Sequence, residues 1–383
     1  MNLPTLDTTP ANKQHIKTWI KSQALELGFS DCGFLSVHHP LFAEQTARLQ
    51  TWLDSNLHGS LEFLKENHHL RADPSLLVTG TKTIISVRMD YLHAKPKPRS
   101  IQDNDRPNCA IIARYARGRD YHKTMRQKLK ALAKLIEKEL PNWHGLGVGA
   151  ENAFVFRPFS DSAPIFERAI AEAAGLGWTG KHTLLINRQG GSFFNLGELF
   201  VSLDLAEKNT SIPVKNLCGS CSACMDICPT NAIIAPHTLD AGACISYLTI
   251  EHKGSIDIKY RNAIGNRIFG CDDCQLICPW NKFAKLSSVS DYQARHGLDD
   301  ISLLDIWAWS EEEFLAKTEG SPLRRTGYVH FLRNLAIALG NSRPADLPAT
   351  INALQSRLGS SDMLDEHIHW AISNLTQAIN TQE

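Results

Sequence analysis

Cys218-Gly219-Ser220-Cys221-Ser222-Ala223-Cys224-Met225-Asp226-Ile227-Cys228-Pro229 decides how this chain must be read. Its spacing, C-x2-C-x2-C-x3-C-P, is the run that holds a [4Fe-4S] cluster in bacterial ferredoxins. Further along, Cys271, Cys274 and Cys278 repeat the last three positions, Pro279 follows, and Ile268 stands where the first cysteine would be. Cys244 lies between the runs and can fill the gap. In two-cluster ferredoxins the fourth cysteine of each run serves the other cluster. That rule gives Cys218, Cys221, Cys224 and Cys278 to one cluster and Cys228, Cys244, Cys271 and Cys274 to the other. Zinc sites also take four thiolates, but they pair two C-x2-C knuckles across a longer gap. Of the ten cysteines, only Cys32 and Cys109 stand apart, and both read as buried small hydrophobes.

Outward from these runs the chain divides into three. Residues 211–285 are expected to form a ferredoxin-like double-cluster domain. Residues 1–210 read as a mixed α/β domain. Ile16, Trp19, Ile20, Ala24 and Leu27 recur at helical spacing and Gly28 closes the run. A strand is expected over 29–37 and a helix over 41–56. Stretches 83–87, 109–113, 154–159, 184–187 and 199–203 have strand character, and 95–107 is a loop. Met125, Leu129, Leu132, Ile136 and Leu140 mark a long helix that Pro141 stops. Residues 161–174 are expected to be helical, with Gly175 as the cap. Residues 286–383 carry short helices over 331–341, 349–358 and 366–379, a spacing that indicates a HEAT-like α-helical repeat.

Composition narrows the function. With 43% apolar residues the 383-residue chain can bury a core. Lys plus Arg and Asp plus Glu both total 40, which excludes a uniformly basic nucleic-acid coat. The charge is uneven, however: residues 91–138 hold 13 Lys and Arg against 4 Asp and Glu. Lys123, Arg126, Lys130 and Lys134 fall on the long helix there, forming either a solvated face or a phosphate-binding one. No stretch approaches the ~18 apolar residues of a membrane span. Met1 to Asp7 shows no export signal, so a cytoplasmic protein away from membranes is expected. No G-x-G-x-x-G or C-x-x-C-H is present; Gly145-Leu146-Gly147-Val148-Gly149 has the wrong spacing. Clusters pass single electrons and make no bonds. The domain ahead of them must therefore hold a second redox centre or dock one.

Several segments stand in a set order along the chain. They are Arg71-Ala72-Asp73-Pro74, Ala113-Arg114-Tyr115-Ala116-Arg117-Gly118-Arg119-Asp120-Tyr121-His122, Asp161-Ser162-Ala163-Pro164 and Gly180-Lys181-His182. The double cysteine run, Tyr247-Leu248-Thr249-Ile250-Glu251 and the C-terminal repeat follow. Together they resemble the epoxyqueuosine reductase family, cobalamin-dependent enzymes that finish queuosine in tRNA. The chain departs at His182, where that family usually carries Asn.

The resemblance implies a cobalamin between the α/β domain and the ferredoxin-like insert. It implies contacts from Arg71, Ala116, Asp161, Ser246, Cys271, Asp272 and Asp273, with no side chain at Ala116 able to ligate cobalt. Electrons from a low-potential donor would enter at the more exposed cluster, cross to the second and reduce cobalt. Reduced cobalt would attack the epoxide, and Asp161 would protonate the developing alkoxide. Asp161 also stands where a helix N-cap is favoured, which lowers a carboxyl pKa, whereas a donor needs it raised. Lys253 is a candidate contact to the tRNA phosphates, and a monomer is expected. Two rivals exist. Reductive dehalogenases carry an export signal and lack the helical repeat. A plain electron-transfer module would bind no cobalamin and would leave the large N-terminal domain unexplained.

Overall fold

The computed structural model describes residues 10–94, 106–143, 154–207, 210–211 and 214–380. The glycine-rich stretch 145–149 and most of the 95–107 loop lie outside the described residues. The first part runs α1 (Pro10–Glu26), β1 (Asp31–Ser36), α2 (Leu41–Asp54), α3 (His68–Ala72), β2 (Thr83–Asp90) and β3 (Ile111–Ile112). It continues through α4 (Tyr121–Glu139), β4 (Phe156–Phe159), α5 (Glu167–Ala173), β5 (Trp178–Thr179), β6 (Leu185–Ile186) and β7 (Phe194–Val201). The main sheet has the order β1-β2-β7-β4, and every pair in it is antiparallel. The α/β reading therefore holds as helices packed on a sheet, not as a parallel βαβ winding.

Both faces of this sheet are covered, so β2 is buried along its whole length. Alternation sorts its side chains. Ile85, Val87, Leu199 and Val201 meet Ile16, Ile20, Met125, Leu129 and Leu132 of α1 and α4. Ile84 and Phe200 face the other way, against Phe42 and Ile170 of α2 and α5. Gly28, at φ +91°, ends α1 in the left-handed geometry that favours glycine.

The cysteine-rich part holds α6 (Ala223–Asp226), β8 (Ile233–Ala235), β9 (Thr238–Leu239), α7 (Ile245–Ile250), α8 (Ile258–Ile264), β10 (Arg267–Phe269) and α9 (Asp273–Leu276). Each C-x2-C pair leads into a short helix, α6 or α9, and the two pack together. The remainder is helical: α10 (Leu303–Trp307), α11 (Glu311–Lys317), α12 (Tyr328–Gly340), α13 (Leu347–Gln355) and α14 (Asp362–Asn380). A single apolar core joins the three parts. It contains Ile112 and Ala116, Ile250 and Phe269, and Phe331, Leu335 and Ile368. β3 pairs in parallel with β10 across the same boundary.

Several expectations need correction. The helix expected from residue 161 begins at Glu167, with Phe166 as its N-cap. Pro164 disfavours helical geometry at Ala163, so the chain turns before the helix starts. β7 begins at Phe194 rather than near 199, and β3 keeps only two residues. Cys32 is buried, but Cys109 is half-exposed, with its sulfur 3.9 Å from Asp300 Oδ1.

α12 is tied to the cysteine-rich part by two polar side chains with no exposure, Arg333 and Asn334. Arg333 donates to the carbonyls of Leu248, His252 and Gly254 at 2.8, 2.8 and 2.7 Å. Asn334 donates to those of Thr249 and Ile268 at 2.8 and 2.9 Å. Asn334→Ala leaves two buried carbonyls unpaired, at about 1–3 kcal/mol each. Chemical denaturation followed by tryptophan fluorescence should show a loss of roughly 2–6 kcal/mol on that basis.

Candidate active site

Two cavities sort the eight clustered cysteines. Cys218, Cys221, Cys224 and Cys278 line an open one of about 820 Å³, beside Trp280 and Lys282. Cys228, Cys244, Cys271 and Cys274 line a second of about 390 Å³ between the sheet domain and the cysteine-rich part. The thiols within each set are close enough to feel one another. Burial pushes Cys278 up to about 11, and Cys218, Cys224 and Cys221 add to it. Burial raises Cys274, and Cys271 and Cys244 raise it further; Cys244 in turn feels Cys228. Four thiols gathered at one cavity suit a group that binds each as thiolate, and an iron–sulfur cluster does so. In the first set Cys221 is exposed and Cys224 and Cys278 are buried, while all four of the second set are partly buried.

The second cavity has an apolar wall that includes Tyr115, Tyr121, Leu185, Phe194 and Leu196, with Ser246, Thr183 and Asn195 among its polar groups. That mix suits a large ring with an apolar face and amide edges. Asp272 and Asp273 line it too, but both carboxylates are engaged. Asp272 accepts from Arg114 N at 2.8 Å and Nη1 at 3.2 Å, and Asp273 pairs with Arg267 at 2.5 Å. Of the residues marked for cobalamin, Ser246, Cys271, Asp272 and Asp273 meet at this cavity. Arg71 and Asp161 meet at another, of about 460 Å³, with Glu167 and Arg325. Ala116 reaches neither: it is wholly buried in the shared core, and its neighbour Tyr115 takes the lining position.

Asp161 joins these two cavities. It lies in left-handed geometry at φ +50°, which Asp tolerates better than most residues. Its Oδ2 accepts from Tyr121 Oη at 2.8 Å, and Tyr121 lines the central cavity. His122 Nε2 lies 3.3 Å from the same oxygen. His122 Nδ1 lies 2.6 Å from Oδ1 of Asp120, which also caps α4 through the His122 N–H. Burial lowers the His122 pKa, but the two carboxylates outweigh it and hold the ring up at about 9. Burial raises Asp161, yet the hydrogen bonds from His122 and Tyr121 win and leave its carboxyl below the usual range. The resting proton therefore sits on His122. Asp161 is not a helix cap, so the capping explanation for its low pKa gives way to these two partners.

Sequence reasoning missed Tyr121 and His122 as partners of Asp161, although both stand in the quoted Ala113–His122 segment. It also missed Arg325, which reaches the Asp161 cavity from the helical part and pairs with Glu251 at 2.7 Å. Lys253, expected at the tRNA phosphates, is exposed and also ties two parts of the chain: its ammonium donates to the carbonyls of Ile250, Arg325 and Thr326 at 3.3, 3.4 and 3.3 Å. His182 is buried and its pKa is lowered to about 4, with Nδ1 accepting from the Leu184 N–H at 3.2 Å. Lys123, Arg126, Lys130 and Lys134 all lie exposed on α4.

Comparison with known proteins agrees with this geometry. Residues 217–281 match the 4Fe-4S double cluster binding domain. Residues 71–162 match the domain described as Epoxyqueuosine reductase QueG, DUF1730. The epoxyqueuosine reductase of Pseudomonas aeruginosa is 47% identical over 365 residues, which is 95% of this chain and 96% of that protein. A crystal structure of epoxyqueuosine reductase with a tRNA-Tyr epoxyqueuosine-modified stem loop matches with a TM-score of 0.76 at 25% identity, covering 95% of this chain and 100% of that one. The Bacillus subtilis epoxyqueuosine reductase, solved with a catalytic aspartate loop swung out of the active site, matches at 0.71 and 26% identity, covering 95% and 100%. The chain belongs to the epoxyqueuosine reductase family.

Proposed function

We propose that this chain reduces epoxyqueuosine to queuosine at the wobble position of tRNA, with Asp161 as the acid that meets the substrate. The observation that carries the reading is the placement of Asp161. It opens on one cavity and is hydrogen-bonded through Tyr121 to the wall of another that the second cysteine set lines. Cys218, Cys221, Cys224 and Cys278 would hold one [4Fe-4S] cluster and Cys228, Cys244, Cys271 and Cys274 the other. Ser246, Thr183, Asn195 and the tyrosine wall would hold cobalamin in the central cavity, while Arg71 lines the Asp161 cavity. Bound there, cobalamin supplies a strong two-electron nucleophile.

The chain's own residues handle protons. His122, kept charged by Asp120, passes a proton to Asp161, and Asp161 delivers it to the oxygen released from the epoxide. Tyr121 orients the accepting oxygen of Asp161. Desolvation by bound cofactor and substrate would move Asp161 upward and so favour its protonated form. The three-part division at 210 and 285 assigns cofactor binding, electron entry and RNA support respectively. α12 and α14, which pack together, would belong to a HEAT-like repeat, and the exposed cations of α4 would meet RNA phosphates.

The direct test is conversion of an epoxyqueuosine-bearing tRNA stem loop by the iron-replete protein with cobalamin and a strong reductant, read by nucleoside mass spectrometry. Cobalamin-dependent loss of one oxygen is expected; no conversion with both cofactors bound refutes the reading. Asp161→Asn should cost about 10²–10⁴ in turnover, the usual worth of a positioned acid, with iron and cobalamin content unchanged. An acid acts only while protonated, so turnover should fall as pH rises through the His122 value of about 9. Asp120→Asn removes a raising partner and should move that fall to lower pH, together with the His122 NMR titration. Cys244→Ala should remove up to about half the iron, because a cubane needs four thiolates.

A further inference from the structure

Asp161 rests on a second acid. Its N–H donates to Oε1 of Glu167, and Glu167 lines the same cavity as Asp161, Arg71 and Arg325. Behind Glu167 lies Glu198 on β7, with no exposure at all. The alternation that turns Phe200 toward α5 turns Glu198 the same way. Ser86 on β2 stands opposite it in register and donates to its Oε1 at 3.2 Å. Glu198 Oε2 has no donor among the described residues, yet the Glu167 carboxyl is in hydrogen-bond contact with this side chain. That contact satisfies both carboxyls only if one of them carries a proton.

The surrounding charges point the same way. Asp161 in front of the pair is negative. His122 is committed to Asp120 and Asp161 and lines neither cavity. Arg71 and Arg325 border the cavity, but among the described residues no salt bridge reaches Glu167 or Glu198. Two touching carboxyls, Glu198 without exposure and Glu167 half-buried, resist ionising together near neutrality. Burial, and then Asp161, push Glu167 up to about 7; burial and Glu167 raise Glu198 well above the ordinary range.

We propose that Glu167, backed by Glu198, is a second acid of the site and delivers one of the two protons that deoxygenation consumes. This rests on the function proposed above. The balance is an epoxide, two electrons and two protons giving an alkene and water. The first C–O bond breaks and its oxygen takes a proton from Asp161, leaving a hydroxyl. The second C–O bond breaks and the oxygen departs as water with the second proton. The electrons come from the low-potential reductant. Asp161 has one proton site and rests as a carboxylate. The Glu167–Glu198 pair holds a proton between its two carboxyls; Glu167 is the member that lines the Asp161 cavity, and Glu198 is shut off from solvent.

The test compares wild type, Glu167→Gln, Glu167→Asp and Glu198→Gln in single-turnover conversion of the modified stem loop across pH, with iron and cobalamin content checked. Wild type should slow as pH rises through about 7, because the acid loses its proton, ahead of the His122 step. Glu167→Gln should be slowed about 100-fold or more and lose the limb near 7, with KM for the stem loop unchanged. Glu167→Asp should restore the limb, and Glu198→Gln should shift it to lower pH. Wild-type turnover in Glu167→Gln, or lost turnover with the limb intact, overturns the proposal. Infrared difference spectra of the substrate-free protein separate the two readings. A carboxylic-acid carbonyl band that titrates near 7 and vanishes in Glu167→Gln is expected. Its absence overturns the acid pair whatever the activity. Its presence in a protein that converts no epoxyqueuosine overturns the functional reading instead.

Discussion

Five backbone carbonyls held by two adjacent buried side chains, Arg333 and Asn334, set the geometry on which the rest of this molecule depends. The carbonyls belong to α7 and the loop after it, and to β10. Cys244 stands at the N-terminus of α7, and Cys271 follows β10 by one glycine. Thr249 extends the linkage, donating to the Ile245 carbonyl and accepting from the Gly270 N–H. The helical part thereby places two ligands of one proposed cluster from outside the cysteine-rich part. Burial lowers the Arg333 pKa to about 10, and three backbone carbonyls accept from its guanidinium. Leaving such groups half-paired in a low-dielectric interior is costly, so the arrangement is strongly specified.

From β10 the constraint passes to the chemistry. β10 pairs with β3, and eight residues after β3 Asp120 opens α4 and presents Tyr121 and His122 to Asp161. Arg114, between them, bonds to Asp272 beside the second cysteine set. The acid site and the cysteine site are thus mounted on one connected frame. Precise placement matters because proton delivery requires hydrogen-bond reach at the moment of bond cleavage. Lys253 adds a further tie by binding the carbonyls of Arg325 and Thr326, which steadies the segment that brings Arg325 to the Asp161 cavity.

The electrostatics of the site divide proton storage from proton delivery. Asp161, nearest the substrate cavity, is held as a carboxylate by its donors. The stored protons lie one contact away, on His122 and on the Glu167–Glu198 pair. A resting site built this way keeps an anionic acceptor ready for refilling.

The cysteine spacing, the periodic helices and the family resemblance were all legible in the amino-acid order. They report local geometry: a C-x2-C turn, an apolar stripe every three or four residues, a proline that stops a helix. The grouping of cysteines into two sets followed from the ferredoxin pattern, and the two cavities sort the side chains the same way. Other features depended on segments far apart in sequence. Asp161 looked like a helix cap because Ser162, Ala163 and Pro164 resemble a first turn. The tertiary fold instead gives its carboxylate to α4, forty residues earlier in the chain. The spacing around Lys253 gave no sign of the Arg325 and Thr326 carbonyls that its ammonium meets. Glu167 and Glu198 looked like ordinary polar positions, since a charge on a strand or helix does not announce which face will be buried. Spacing along the chain encodes backbone geometry and ligand sets. Only the folded structure decides which charges meet, and with them where the protons reside.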